Sequence, residues 1–161
     1  MKSVASVLLC LAMLFLAAAA SATACPASRG ATIVVTSIAD SGPGSLRHAM
    51  ERAQDGDTVT FDPAVFPPTA PVTISITSDL PGFPGSLTID ASDAGVILDG
   101  SNMPGEWVGG LQIVDSDGNT IRGLQISNFS GRAIDIGRDS QGNVIGGDPS
   151  VGAGPYGICS N

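Results

Sequence analysis

Asp93 is separated from Asp117 by the same interval that separates Asp115 from Asp139, so a chain winding with that period would stack each pair on successive coils. Two stacked carboxyls have two chemical uses. Held about 5 to 9.5 Å apart they hydrolyse a glycosidic bond, one as general acid and the other as base or nucleophile. Held closer, they share a calcium ion, which takes about six to eight oxygen ligands. The plainer use is in turns, where aspartate bonds its own backbone, and Asp115-Ser116-Asp117-Gly118-Asn119 lacks the spacing of an EF-hand loop. The four aspartates are candidate calcium ligands, and no residue is assigned a catalytic role.

The other reactive side chains are few. Arg122, Arg132 and Arg138 are the cations in the second half, but arginine keeps its proton far above neutral pH and acts as a base only in a specially arranged site. His48 is the only histidine, so neither a Ser-His-Asp triad nor a histidine metal site is supported, and no glycine-lysine phosphate loop is present. Asn128-Phe129-Ser130 has the form of a glycosylation sequon. Trp107 and Tyr156 are the aromatic candidates for stacking on a sugar ring.

What would position these groups is a repeat. Ile97, Ile121 and Ile145 recur at the interval of the aspartates, each followed by a glycine (Gly100, Gly123, Gly147), and the apolar pairs Leu87/Ile89, Leu111/Ile113 and Ile134/Ile136 recur upstream. A period of about 24 residues marks stacked coils. Short strands are expected over 31–37, 58–61, 72–77, 87–90, 96–98, 111–114, 120–126 with a bend at Gly123, 133–136 and 144–145, parted by Gly, Asp, Asn and Ser turns. With no helix between them, the fold class is all-β, a parallel β-helix (solenoid) with coils about 4.8 Å apart. The six residues of the three pairs, with Ile121 and Ile145, should be buried, and Ile97, Ile121 and Ile145 should form one column. Asn119 and Asn143 are placed to begin an asparagine ladder. One short helix is expected where Leu46, Ala49, Met50 and Ala53 make an apolar stripe, with Ser45 as N-cap and Gly56 in the stop. On it Arg47 and Glu51 should face water.

Residues 1–24 have the form of a secretory signal peptide: Lys2, an apolar run over 7–20, and the small-residue site Ala22-Thr23-Ala24. The run is shorter than the ~20 residues a spanning helix needs, so no transmembrane segment is expected after its removal. Cleavage after Ala24 would put Cys25 first, the residue that carries lipid in bacterial lipoproteins, although Ala22 stands where a larger aliphatic side chain is usual. Ordinary cleavage nearby leaves Cys25 and Cys159 free to pair or not. The chain's net charge of −8 argues against nucleic acid and anionic membrane as partners.

The segment Gly44-Ser45-Leu46-Arg47-His48-Ala49, with Gly56-Asp57-Thr58-Val59 and Phe61-Asp62 after it, resembles the N-terminal region of secreted bacterial right-handed β-helix repeat proteins. Their motif is written C-S-L-R-E-A; here Gly44 replaces the cysteine and His48 the glutamate. Leu87-Thr88-Ile89-Asp90, Asn119-Thr120-Ile121-Arg122-Gly123-Leu124 and Asn143-Val144-Ile145-Gly146-Gly147 are similar to the repeats of that group. The resemblance, which covers nearly all of residues 31–150, implies a right-handed, pectate-lyase-like β-helix closed at its N-terminal end by the helix. The domain is expected over residues 25–161, where residues 155–161 read as the entry to another coil that breaks off near Asn161. It leaves function open. The expectation is a secreted or cell-surface scaffold for binding or adhesion, with a polysaccharide or cell-surface ligand as partner. The alternative is the N-terminal part of a polysaccharide lyase or glycoside hydrolase.

Overall fold

The computed structural model describes residues 30–137 and 139–146. Residues 1–24, Cys25, Arg138, Gly147, Tyr156 and Cys159, and with them the signal, lipid and disulfide readings, lie outside the described residues.

Ten short strands and one helix follow in order: β1 (Thr32–Val35), α1 (Leu46–Arg52), β2 (Thr58–Phe61), β3 (Val72–Ser75), β4 (Thr88–Asp90), β5 (Val96–Asp99), β6 (Leu111–Val114), β7 (Thr120–Arg122), β8 (Leu124–Ser127), β9 (Ile134–Gly137) and β10 (Val144–Ile145). Every pairing is parallel. The strands form three sheets, β1-β2-β4-β7-β10, β3-β5-β8 and β6-β9, so the chain is a parallel β-solenoid of about four coils. Strands this short cannot stand alone. They persist because each pairs with its equivalent one coil on while its alternate side chains enter a shared core.

The core columns follow from the register. In the five-stranded sheet Ile33, Val59, Ile89, Ile121 and Ile145 are successive partners; in the second sheet Ile74, Leu98 and Ile126 are. Leu87, Ile89, Leu111, Ile113 and Ile121 are buried as expected. Ile134 is half-buried, and Ile136 and Ile145 are exposed, contrary to expectation. All three lie on β9 and β10, each of which has a strand partner on one side only among the described residues.

The column proposed for Ile97, Ile121 and Ile145 is half right. Ile121 pairs with Ile145, but Ile97 belongs to β5, in another sheet, where it stands between Thr73 and Gln125. Coil length is the reason. Thr32, Thr58, Thr88, Thr120 and Val144 are aligned, yet the steps between them are unequal. The step from β7 to β10 is that of the bonded pair Asn119 and Asn143, 24 residues, whereas the step from β4 to β7 is that of Asp90 and Arg122, 32 residues. Only some coils keep the shorter period, because loops of different length leave and rejoin the stack between strands.

The repeated glycines also do different work. Gly123 separates β7 from β8 at φ 74°, and a Cβ there would lie 2.3 Å from the Ala91 carbonyl carbon of the neighbouring coil. At Gly100 a Cβ would instead meet the Phe129 ring, 2.5 Å from its nearest atom. Backbone yields less readily than a ring, so Gly123→Ala should cost about 3 kcal/mol through strain and clash together, read as a lowered denaturant midpoint.

The helix forms as the sequence indicates. Ser45 Oγ accepts from the His48 backbone N–H, and Leu46, Ala49, Met50 and the flanking Ala53 are buried in the common core. It packs against β1, the end strand of its sheet. Glu51 is exposed, but Arg47 is half-buried and tied down rather than turned freely to water: its guanidinium donates to the Asp40 carboxylate at 2.8 Å and to the carbonyls of Asp40, Ser78 and Asp79. Five fixed donors on a planar group suit it to gather two loops onto one helix. Phe66, in the proline-containing loop, fills the core edge-on to Phe61 with centroids 5.4 Å apart. Among the described residues no helix is long and apolar enough to cross a membrane.

Candidate functional site

The asparagines and aspartates singled out by their spacing lie in the turns that enter and leave the five-stranded sheet. Just before β7, Asn119 is fully buried. Its Oδ1 accepts from the Leu87 N–H of the preceding coil at 2.9 Å, and its Nδ2 donates to Asn143 Oδ1 of the next at 2.8 Å. Asn143 Oδ1 also accepts from the Asn119 N–H at 2.8 Å, and Asn119 Nδ2 reaches the Ser116 hydroxyl and carbonyl. This is the expected ladder. It extends further than two asparagines, because Ser116 Oγ donates to the Gly85 carbonyl and the Ser116 N–H donates to Ser140 Oγ.

The contacts of Asn119 with Asn143 and of Ser116 with Ser140 keep the short coil step, so Asp115 and Asp139 occupy equivalent corners of successive coils. Both are exposed, and both have positive φ, 53° and 41°, the left-handed conformation that aspartate and asparagine tolerate at turns. Asp117 Oδ1 accepts from the Gln141 N–H and so is spent on the next coil. Asp93 is elsewhere. It follows β4, whereas Asp117 precedes β7, and because β4 and β7 pair Thr88 with Thr120 the coil between them is too long to stack these two aspartates. Among the described residues, no three His, Cys, Asp or Glu side chains are gathered so as to hold a metal ion.

Asp90 and Arg122 are true partners, opposite each other on β4 and β7 and joined at 2.6 Å. Partial burial pushes the Asp90 carboxyl up, but hydrogen bonds from Arg122 and Ser92 outweigh it and hold the group below the usual carboxylate range. The Asp90 carboxylate in turn raises Arg122, with a smaller contribution from the charge of Asp93. A guanidinium held protonated is the opposite of a base. Arg132 is bound to Asp135 at 3.0 Å, and His48 lies 3.9 Å from Glu51 on the helix surface.

On the second sheet Asp99 Oδ1 accepts from Asn128 Nδ2 at 2.7 Å, which with Ser101 lowers the Asp99 carboxyl. The sequon is therefore committed: the Asn128 amide is bound to Asp99, Phe129 is buried, and Ser130 Oγ accepts from the Val108 N–H. Asp55 is lowered likewise, first by the Ser86 N–H and then by its hydroxyl.

No protein-family model, curated protein or solved structure matches the chain.

The carboxylates of Asp90, Asp99, Asp117 and Asp55 thus share one geometry: each grips a group on another coil. Sequence spacing located the ladder but missed the pairs Asp90–Arg122, Asp99–Asn128 and Asp55–Ser86, which are 32, 29 and 31 residues apart. For Asp90, Asp99 and Asp55, whose carboxyls are lowered, the consequence is measurable as pH dependence. A carboxyl whose folded pKa lies below its unfolded value, about 3.9, contributes stability above that value and loses it as pH falls through the folded pKa. Melting temperature should hold from neutral pH down to about pH 4 and then drop, and Asp90→Asn should flatten the drop. A curve unchanged between about pH 4 and 2 would contradict the cross-coil role.

Proposed function

We propose that this chain is a secreted or cell-surface β-solenoid scaffold for binding or adhesion, with no catalytic site of its own in these residues. One observation carries the reading: outward polar side chains, Asp117 of the stacked-aspartate candidates among them, are occupied in fastening coil to coil. Asp90, Asp99, Asp117 and Asp55 each hold a group of another coil, and Arg122 is held by Asp90. A rigid stack of this kind presents a long surface whose side-chain positions are set by strand register rather than by flexible loops. Its secreted placement is supported by the sequence of residues 1–24.

The test sets purified chain against pectate, alginate and neutral polymers, with and without calcium, measuring unsaturated and reducing ends together with retention on the insoluble polymers or cell walls. The reading expects retention without turnover and a melting temperature that calcium moves by less than about 1 °C, since a ligand stabilises only the state that binds it. Calcium-dependent cleavage would overturn it. A calcium shift of several degrees, lost in Asp115→Asn or Asp139→Asn, would assign that corner to the cation.

A further inference from the structure

Trp107 combines two unfavourable features. It is 85% exposed, the most exposed large apolar side chain described, and its backbone has φ 65°. A bulky residue in the left-handed region is strained, and such strain persists only where the surroundings impose it. Here the next coil imposes it. The Gly131 N–H donates to the Val108 carbonyl at 2.9 Å, Val108 N–H donates to Ser130 Oγ at 3.1 Å, and a Cβ on Gly131 would come within 2.8 Å of the Trp107 carbonyl carbon and oxygen. Glycine at 131 lets the two turns press together, so the loop carrying the indole is held firmly.

The surroundings say what the indole suits. A protein-binding hot spot sits within an apolar patch ringed by further contacts. Trp107 has instead Glu106 beside it in sequence, and Ser130 and Arg132 flanking the glycine that clamps it. A flat aromatic on a turn that carries a carboxylate, pressed against a turn that carries a hydroxyl and a guanidinium, matches a sugar ring, which offers C–H groups on one face and hydroxyls around its rim. Charge narrows the class. Arg132 is already matched by Asp135, Glu106 is negative, and the chain carries −8 overall, which disfavours a polyanion.

We propose that Trp107 is the stacking platform for a neutral polysaccharide, held ready by the Gly131 turn. This rests on the binding-scaffold reading and gives it a site. The chain has a single tryptophan, so its fluorescence reports this position directly. Titration with neutral β-glucan and mannan oligosaccharides should give a saturable change in emission, and polygalacturonate should give none. In affinity electrophoresis through neutral polysaccharide, Trp107→Ala should weaken retention by about tenfold or more, and Trp107→Phe should keep part of it. Trp107→Gly, free of the φ strain, should melt about 2 °C or more above the wild type and yet fail to bind. Emission indifferent to every neutral glycan, or wild-type retention of Trp107→Ala, would overturn the site. If Trp107→Ala still adheres to a polymer or cell wall, the platform fails and the scaffold stands; if the wild type adheres to nothing, both fail. Adhesion that needs Trp107 but is destroyed by proteolysis of the target would overturn the saccharide assignment in favour of a protein partner.

Discussion

Asn119→Ala should lower the unfolding free energy by about 3 kcal/mol or more, and the melting temperature by about 10 °C. The size follows from what is left behind. Asn119 is fully buried between two coils, and truncation leaves the Leu87 N–H with only its short-range contact to the Gly85 carbonyl. It also removes a donor from Asn143 Oδ1 and from the Ser116 hydroxyl and carbonyl. Buried groups stripped of partners cost about 1 to 3 kcal/mol each. Asn119→Asp keeps the acceptor for Leu87 but buries a charge and loses the amide donors. Such a carboxyl has its folded pKa raised above the unfolded value of about 3.9, so its deficit against wild type should narrow as pH falls from 7 towards about 4.5. A change of less than about 1 °C in Asn119→Ala would show that the ladder is ornamental.

Ile121→Asp should abolish folding, since an unpaired charge would sit in a fully buried position of the column between Ile89 and Ile145. Ile121→Ala is the quantitative version, with a loss of about 2 to 5 kcal/mol. The informative comparison is Ile97→Ala. By sequence spacing Ile97 and Ile121 are the same position of one repeat; by register Ile97 is half-buried in a different sheet, next to the buried Val96 and Leu98 that point inward. Its alanine variant should lose well under half as much. Equal losses, measured by denaturant unfolding with unchanged slope, would restore the single column and refute the register.

That contrast shows what was legible in the sequence. Strand positions were read to within a residue or two, because β-branched runs bounded by Gly, Asp and Asn carry their own local signal: β2, β6 and β10 have the expected limits, and the bend at Gly123 separates β7 from β8. The helix was legible for the same reason, through Ser45 and the Leu46/Ala49/Met50 stripe. Stacking was not, because it depends on how many residues each loop holds out of the coil. The ladder at Asn119 and Asn143 was found where the coil happens to keep the sequence period. The pairing of Asp93 with Asp117 was assumed where the coil, measured from Asp90 to Arg122, is 32 residues long. Arg47 was misread because its partners, Asp40, Ser78 and Asp79, come from loops with no periodicity of their own. Trp107 was noticed by type, but its strained φ and its clamp at Gly131 exist only in three dimensions.

The most direct measurement of the central claim, that side chains fasten coil to coil into one rigid stack, is residue-resolved amide hydrogen exchange on the wild type and Asn119→Ala. In the wild type the amides of Leu87 and Asn119, which donate to asparagine side chains of the next coil, should exchange as slowly as those of Thr120 and Val144, which donate to backbone carbonyls within the sheet. In Asn119→Ala the Leu87 amide should speed up selectively. Leu87 and Asn119 amides exchanging at loop rates in the wild type, beside a protected sheet, would contradict the account.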